Sequence, residues 1–218
     1  MSKKQTNEKE IRLKIITLGN AQVGKTSFIL KFTENTFDYN SLQTMGIDIK
    51  TKFIIKNGKK YRLTIYDTAG QEQFKAISLS TIKNADGIIL MYDITNQKSY
   101  IEIKDWMDGI IENKGINFPI ILIGNKCDLE DKRKVTYEEG QKLAKQNGLI
   151  FMETSNLNGK NIEEAGSTLL NMIIEKNKKE IDDILNSFEI IEEPEESDRI
   201  VLSRDHLKKN NKKGDKCC

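Results

Sequence analysis

Apolar residues recur along this chain in two rhythms. The first is a set of short, near-continuous runs, such as GIILMYD (Gly87–Asp93) and PIILIGN (119–125). Runs of this length suit strands covered on both faces. On the same grounds residues 12–18, 47–56, 60–67, 87–93, 119–124 and 149–153 read as strands. Between them the period lengthens. Tyr100, Ile103, Met107 and Ile110 share one helical face, and Ile162, Ala165, Leu169 and Ile173 share another. Asn161 and Glu164 have the spacing of a capping box ahead of that second helix. Asn57-Gly58 falls between two strand patterns and reads as a tight hairpin turn. The pattern therefore predicts an α/β fold: a doubly wound, six-stranded, mostly parallel sheet with one antiparallel strand and helices on both faces. Ligands of such sheets sit beyond the carboxyl ends of the strands.

After about residue 178 the helical period weakens. Ile181, Ile184, Leu185, Phe188 and Ile191 would extend the last helix or dock on the domain, and EEPEES then breaks the pattern. Three regions follow: a polar N-terminus (1–10), one domain (11–178) and a tail (179–218). Of the 218 residues, 37% are hydrophobic and 31% charged, and the formal net charge is only +2. That balance gives no reason to expect a nucleic-acid partner. The charge is uneven in the tail, where an acidic stretch precedes the basic KKNNKKGDKCC. Three cysteines without metal-ligand spacing make neither a disulfide framework nor a zinc site. There is no signal-peptide core and no apolar run of about 18 residues, so the chain is expected in the cytosol.

Candidate chemistry begins with GNAQVGKTS. It follows the first strand and opens a helix, and Gly19, Gly24, Lys25 and Thr26 fit GxxxxGK[ST]. Glycines let successive backbone N–H groups curl around an anion, and the helix adds its positive end. The cradle runs over Ala21, Gln22, Val23, Gly24, Lys25, Thr26 and Ser27. Lys25 can reach β- and γ-phosphates, and the Thr26 hydroxyl can ligate Mg²⁺. The reading is a P-loop NTPase fold, and the loop alone does not separate a GTPase from a kinase or an ATPase.

NKCD (residues 125–128) directly follows the fifth strand on the same edge. A carboxylate such as Asp128 accepts from both N1–H and the 2-amino group of guanine. Adenine has neither donor and would leave the acid unpaired. Taken alone, four residues rich in Asn and Asp also read as an ordinary turn.

The ordered set GNAQVGKT, TMGID, DTAGQE, NKCD and ETS resembles the Ras-like small GTPases, and GID, YDTAGQEQF and the CC ending resemble their Rab branch. The resemblance covers about residues 11–178 plus the terminus. It implies that Asn125 and Asp128 read guanine while the Lys126 stem covers it. Thr154, Ser155 and Asn156 would present backbone to the base, and Phe37 would pack edge-on against it. Asp67 would hold Mg²⁺ through water, and Thr44 would add a second hydroxyl to the metal beside Thr26. Gly70 would touch the γ-phosphate, and Gln71 would orient the attacking water. GTP/GDP and Mg²⁺ are the implied cofactors. Loss of the γ-phosphate would loosen two loops, about 38–48 and 68–82. Hydrolysis is expected to be slow until a GTPase-activating protein supplies a positive charge. His206, the single histidine, lies in the tail and cannot serve as a base.

The same resemblance implies effectors that bind the GTP form, an exchange factor, prenylation and escort proteins, and a GDP-dissociation inhibitor, acting on a monomer in vesicular traffic. Cys217 and Cys218 match the doubly geranylgeranylated ending, with nearby lysines adding attraction to anionic lipid. The protein would then divide between cytosol and the cytoplasmic face of intracellular membranes. Departures also stand out. Gln22 occupies a position where small residues are usual, and is expected to crowd the activating partner. ETSNL replaces ETSAK, so Asn156 and Leu157 are expected to alter the nucleotide off-rate. Ile49, Tyr66 and Thr81 replace the usual aromatic triad and should change partner choice. Two other functions remain open on sequence alone: a membrane-tethered module that binds GTP and scarcely hydrolyses it, and an ATP-using P-loop enzyme, which NKCD opposes.

Overall fold

The computed structural model describes residues 10–37, 44, 46–70, 81–179 and 181–182. Six strands form one sheet: β1 (Glu10–Leu18), β2 (Ile47–Lys56), β3 (Lys59–Thr68), β4 (Gly87–Asp93), β5 (Ile120–Asn125) and β6 (Ile150–Thr154), in the order β2-β3-β1-β4-β5-β6. β2 pairs antiparallel with β3, and all other neighbours are parallel. The hairpin between them turns on Asn57 and Gly58 at φ 51° and 70°. Two consecutive left-handed residues match the twist of the flanking strands, which is why Asn-Gly is favoured there.

Period two survives inside the continuous apolar runs. Ile15, Ile89, Met91, Ile121 and Ile123 face one core with Phe28, Phe32, Leu169 and Ile173. Ile16, Ile88, Leu90, Tyr92, Ile120 and Leu122 face the other with Ile103, Trp106, Met107 and Ile110. The first core lies under α1 (Lys25–Glu34) and α5 (Ile162–Lys176). The second lies under α2 (Gln97–Ile101), α3 (Ile103–Lys114) and α4 (Tyr137–Gln146). With both faces covered, these strands have no polar side to display. Ile181 is also buried, and its N–H donates to the Asn177 carbonyl at 2.9 Å.

Two local expectations require correction. The face through Tyr100, Ile103, Met107 and Ile110 belongs to two helices, not one. They are divided at Glu102, whose side chain turns aside to pair with Lys98 and to accept from Asn20. Asn161 forms no capping box. It sits left-handed at φ 59° and spends its amide on the Glu153 carbonyl at 2.8 Å. The capping box forms instead at Thr136 and Glu139, ahead of α4. Asparagine tolerates the left-handed region, so its side chain is freed for a tertiary bond.

Candidate functional site

The carboxyl ends of β1, β3, β5 and β6 share one edge of the sheet, because all four strands run the same way. The loop from Gly19 to Gly24 leaves β1 there and enters α1. Gly19 lies at φ 133°, and a Cβ would stand 2.1 Å from the Met91 carbonyl oxygen, so only glycine fits. Gln22 and Gly24 are also left-handed, at φ 63° and 97°. Gly24 is the N-cap of α1, with no side-chain cap and no acidic residue in the first turn. No side chain of the N-cap covers the first N–H groups of α1, and such a helix start suits an anion.

Lys25 is 6% exposed, and its ammonium donates to the carbonyls of Gly19 and Asn20, each at 2.8 Å. Burial pushes its pKa down to about 8, against the opposing pull of Asp67. A Cβ on Gly70 would stand 2.3 Å from both Lys25 Nζ and the Asn20 carbonyl, which brings the start of the second loop against the first. Asn20 is anchored from behind. It donates to Glu102 and accepts from Trp106 Nε1 at 2.9 Å.

Three oxygen donors meet beside Lys25. The Thr26 hydroxyl donates to Asp67 at 2.6 Å, the Thr44 hydroxyl donates to the same carboxylate oxygen at 3.1 Å, and the two hydroxyls lie 2.8 Å apart. Burial raises the pKa of Asp67, while the two threonine bonds and Lys25 act to lower it. Its other oxygen, Oδ1, is buried without a hydrogen-bond partner among the described residues. Two hydroxyls and a carboxylate with a spare buried oxygen form a hard donor set that suits Mg²⁺. No group of three His, Cys, Asp or Glu side chains placed to hold a metal exists among the described residues.

The second half of the site is built from the ends of β5 and β6. Asn125 is fully buried. It donates from Nδ2 to the Val23 carbonyl at 2.8 Å and accepts from the Thr154 hydroxyl at 3.1 Å. Lys126 is left-handed at φ 67°, and its ammonium pairs with Asp93 at 2.7 Å. The Cys127 N–H donates to the Thr154 carbonyl at 3.1 Å. Asp128 is exposed, Phe37 half-buried, and Thr154, Ser155 and Asn156 are buried. Arg133 braces the assembly from the side. It donates to both Glu153 oxygens at 2.6 and 2.9 Å and to both Glu130 oxygens.

The structure thus brings Ala21 to Ser27, Thr44, Asp67, Gly70, Asn125, Lys126, Asp128 and 154–156 to one edge. Gln71, His206, Cys217 and Cys218 lie outside the described residues. Sequence reasoning missed Asp93, Trp106 and the Arg133–Glu153 pair. Each acts across a strand or helix boundary that no local pattern marks.

Comparison with known proteins gives this geometry its family. The family model described as "Ras family" matches residues 14–175. "Ras-related protein Rab-13" of Canis lupus familiaris is 44% identical over 163 residues, covering 75% of this chain and 80% of its own. "Ras-related protein Rab-8B" of Homo sapiens is 42% identical over 170 residues, 78% of this chain and 82% of its own. "Ras-related protein Rab-3C" of Bos taurus is 41% identical over 163 residues, 75% and 72% respectively.

The chain belongs to the Ras family. Within it, this is a Rab-like small GTPase that hydrolyses GTP and works in vesicle transport, and a binding module without hydrolysis is not favoured. Membership implies GTP/GDP as ligand. In general terms it also implies effectors, exchange factors, GTPase-activating proteins and a GDP-dissociation inhibitor as partners. Rab relatives act on intracellular membranes, and no helix among the described residues of this GTPase is long and apolar enough to cross one. On β2 and β3, Ile49, 52% exposed, pairs in register with Tyr66.

Proposed function

We propose that this GTPase is a GTP/GDP switch whose phosphate and base sites are the two half-sites above. The phosphates lie in the cradle from Ala21 to Ser27, with Lys25 turning from the Gly19 and Asn20 carbonyls to the β- and γ-phosphates. The guanine lies against Asn125, Lys126 and Asp128, with the backbone of Thr154 to Asn156 on its O6 side and Phe37 at its edge. Thr26, Thr44 and Asp67 would hold Mg²⁺, Asp67 through water. Bound Mg²⁺ would neutralise charge on the β- and γ-phosphate oxygens. The observation that carries this reading is the bond from Asn125 to the Val23 carbonyl at 2.8 Å, which locks a base-reading loop to a phosphate loop.

Gln71 orients the attacking water. Thr44 and Gly70 sense the γ-phosphate, so its loss withdraws their contacts and releases the two loops that partners read. No arginine occurs in 38–48 or 68–82, so a GTPase-activating protein supplies the charge, worth about 10³–10⁵ in rate. Cys217 and Cys218 carry two prenyl chains, which tether the switch to the cytoplasmic face of an intracellular membrane.

Nucleotide competition tests the base site. Purified protein loaded with labelled GDP is challenged with GTP, ITP and ATP in Mg²⁺. GTP should displace best. ITP, which lacks the 2-amino group, should be weaker by about 10-fold or more, and ATP should fail. Equal displacement by ATP would overturn the assignment of Asp128.

A further inference from the structure

Asn156 does more in this structure than present a backbone N–H. Its side chain crosses from the loop after β6 to the phosphate loop, where Nδ2 donates to the Gly24 carbonyl at 2.9 Å. The neighbouring Val23 carbonyl is held in the same way by Asn125 at 2.8 Å. Two consecutive carbonyls of one loop are thus clipped by two carboxamides arriving from two other loops. Gly24 makes room for both. A Cβ there would stand 2.4 Å from Asn125 Nδ2 and 2.7 Å from Asn156 Nδ2. The Gly24 carbonyl also accepts the first helical bond of α1, from Phe28 N–H at 2.9 Å, so the second clip bears on the helix start itself.

The orientation of the Asn156 amide is fixed by chemistry. Turned over, it would set its oxygen against the Gly24 carbonyl. In the bonded orientation Oδ1 is buried without a partner among the described residues, and the residue is 5% exposed. A buried amide with one unmet acceptor is tolerated where its donor bond is worth keeping. Where this chain has Asn156, the ETSAK pattern has alanine, which cannot make the bond.

We infer that Asn156 is a positioning residue, a second clip between base loop and phosphate loop that slows nucleotide release by fixing its own N–H opposite the 6-oxygen of guanine. The inference rests on the guanine reading given above.

The test is the release rate of fluorescent GDP from the full chain in Mg²⁺, chased with excess GDP, in wild type, Asn156→Ala and Asn156→Asp. Alanine is the residue of the related pattern, so that variant keeps both the fold and the backbone N–H. It should release GDP about 5- to 10-fold faster, the loss of one buried neutral hydrogen bond. Asn156→Asp sets a carboxylate against the Gly24 carbonyl and should exceed about 10-fold. The diphosphate of 6-thioguanosine keeps N1–H and the 2-amino group but has sulfur, a weaker acceptor, in place of the 6-oxygen, and with it the acceleration in Asn156→Ala should shrink. A merely structural residue would speed both nucleotides equally. Wild-type release in Asn156→Ala, or equal acceleration of both nucleotides, overturns the inference while leaving the guanine reading standing. Failure of the wild type itself to retain GDP would instead overturn that reading.

Discussion

The Thr26 hydroxyl donates to the Asp67 carboxylate at 2.6 Å, joining the first residues of α1 to the end of β3 across 41 positions of sequence. The same carboxylate keeps Oδ1 buried with no hydrogen-bond partner among the described residues, the oxygen that the proposed Mg²⁺ reading would use. Chelation with EDTA should therefore speed GDP release from the wild type by about 10- to 100-fold, the scale on which lost metal support acts. Asp67→Ala should start fast and gain little from EDTA. Fluorescent GDP release with and without chelator measures both.

Arg133 and Glu153 form a two-bond ion pair at 2.6 and 2.9 Å, with side chains only 16% and 9% exposed. Glu153 immediately precedes Thr154 and Ser155, so the pair sets the height of the base loop. Removing Arg133 strands the Glu153 carboxylate, whereas removing Glu153 leaves Arg133 paired with Glu130. Arg133→Met should cost about 2–4 kcal/mol, and Glu153→Gln clearly less. Urea unfolding of the GDP-bound protein reads this, and the double variant should cost less than the sum of the singles.

Gln22 carries a side chain in a left-handed conformation, φ 63°. Such a residue stores about 1 kcal/mol that glycine would not. Gln22→Gly should raise the midpoint of urea unfolding slightly, offset in part by the greater freedom of glycine in the unfolded chain. The same variant should respond faster to a GTPase-activating protein, because the side chain stands exposed at the phosphate loop.

Cys127 lies within the guanine loop, and burial pushes its thiol pKa up. The neutral thiol is thus favoured in the folded state. This contribution to stability is intact below the ordinary thiol range and is lost as pH rises through the raised folded pKa. In a chain with Cys217 and Cys218 replaced by serine, alkylation should be slow at pH 8. Its pH–rate midpoint should lie above that of free cysteine measured alongside. A midpoint at or below free cysteine would contradict the burial of this thiol.

Much of this architecture was readable because it is local. Gly24, Lys25 and Thr26 are neighbours whose spacing alone fixes a strand–loop–helix turn. Asn57-Gly58 needs only its own backbone preference. The strands were legible from apolar runs, yet which residue faces which core was not, since both faces are buried and alternation leaves no polar mark. What escaped is what the sheet brings together. Lys126 meets Asp93, Arg133 meets Glu153 and Trp106 meets Asn20 only after β4, β5 and β6 are aligned or α3 packs behind the phosphate loop. Asn161 misled because one asparagine can cap a helix or turn left-handed, and the nearby Glu153 carbonyl decided it. Asn156 stood out as a departure from pattern, but its bond to Gly24 required three dimensions.

The most direct measurement is single-turnover GTP loss. Protein loaded with GTP in Mg²⁺ is freed of excess nucleotide, and phosphate release is followed over hours alongside Gln71→Leu. The wild type should convert bound GTP to GDP slowly and only with Mg²⁺, and Gln71→Leu should be slower by about 10-fold or more. Bound GTP that persists unchanged in the wild type, or hydrolysis indifferent to Gln71, would contradict it.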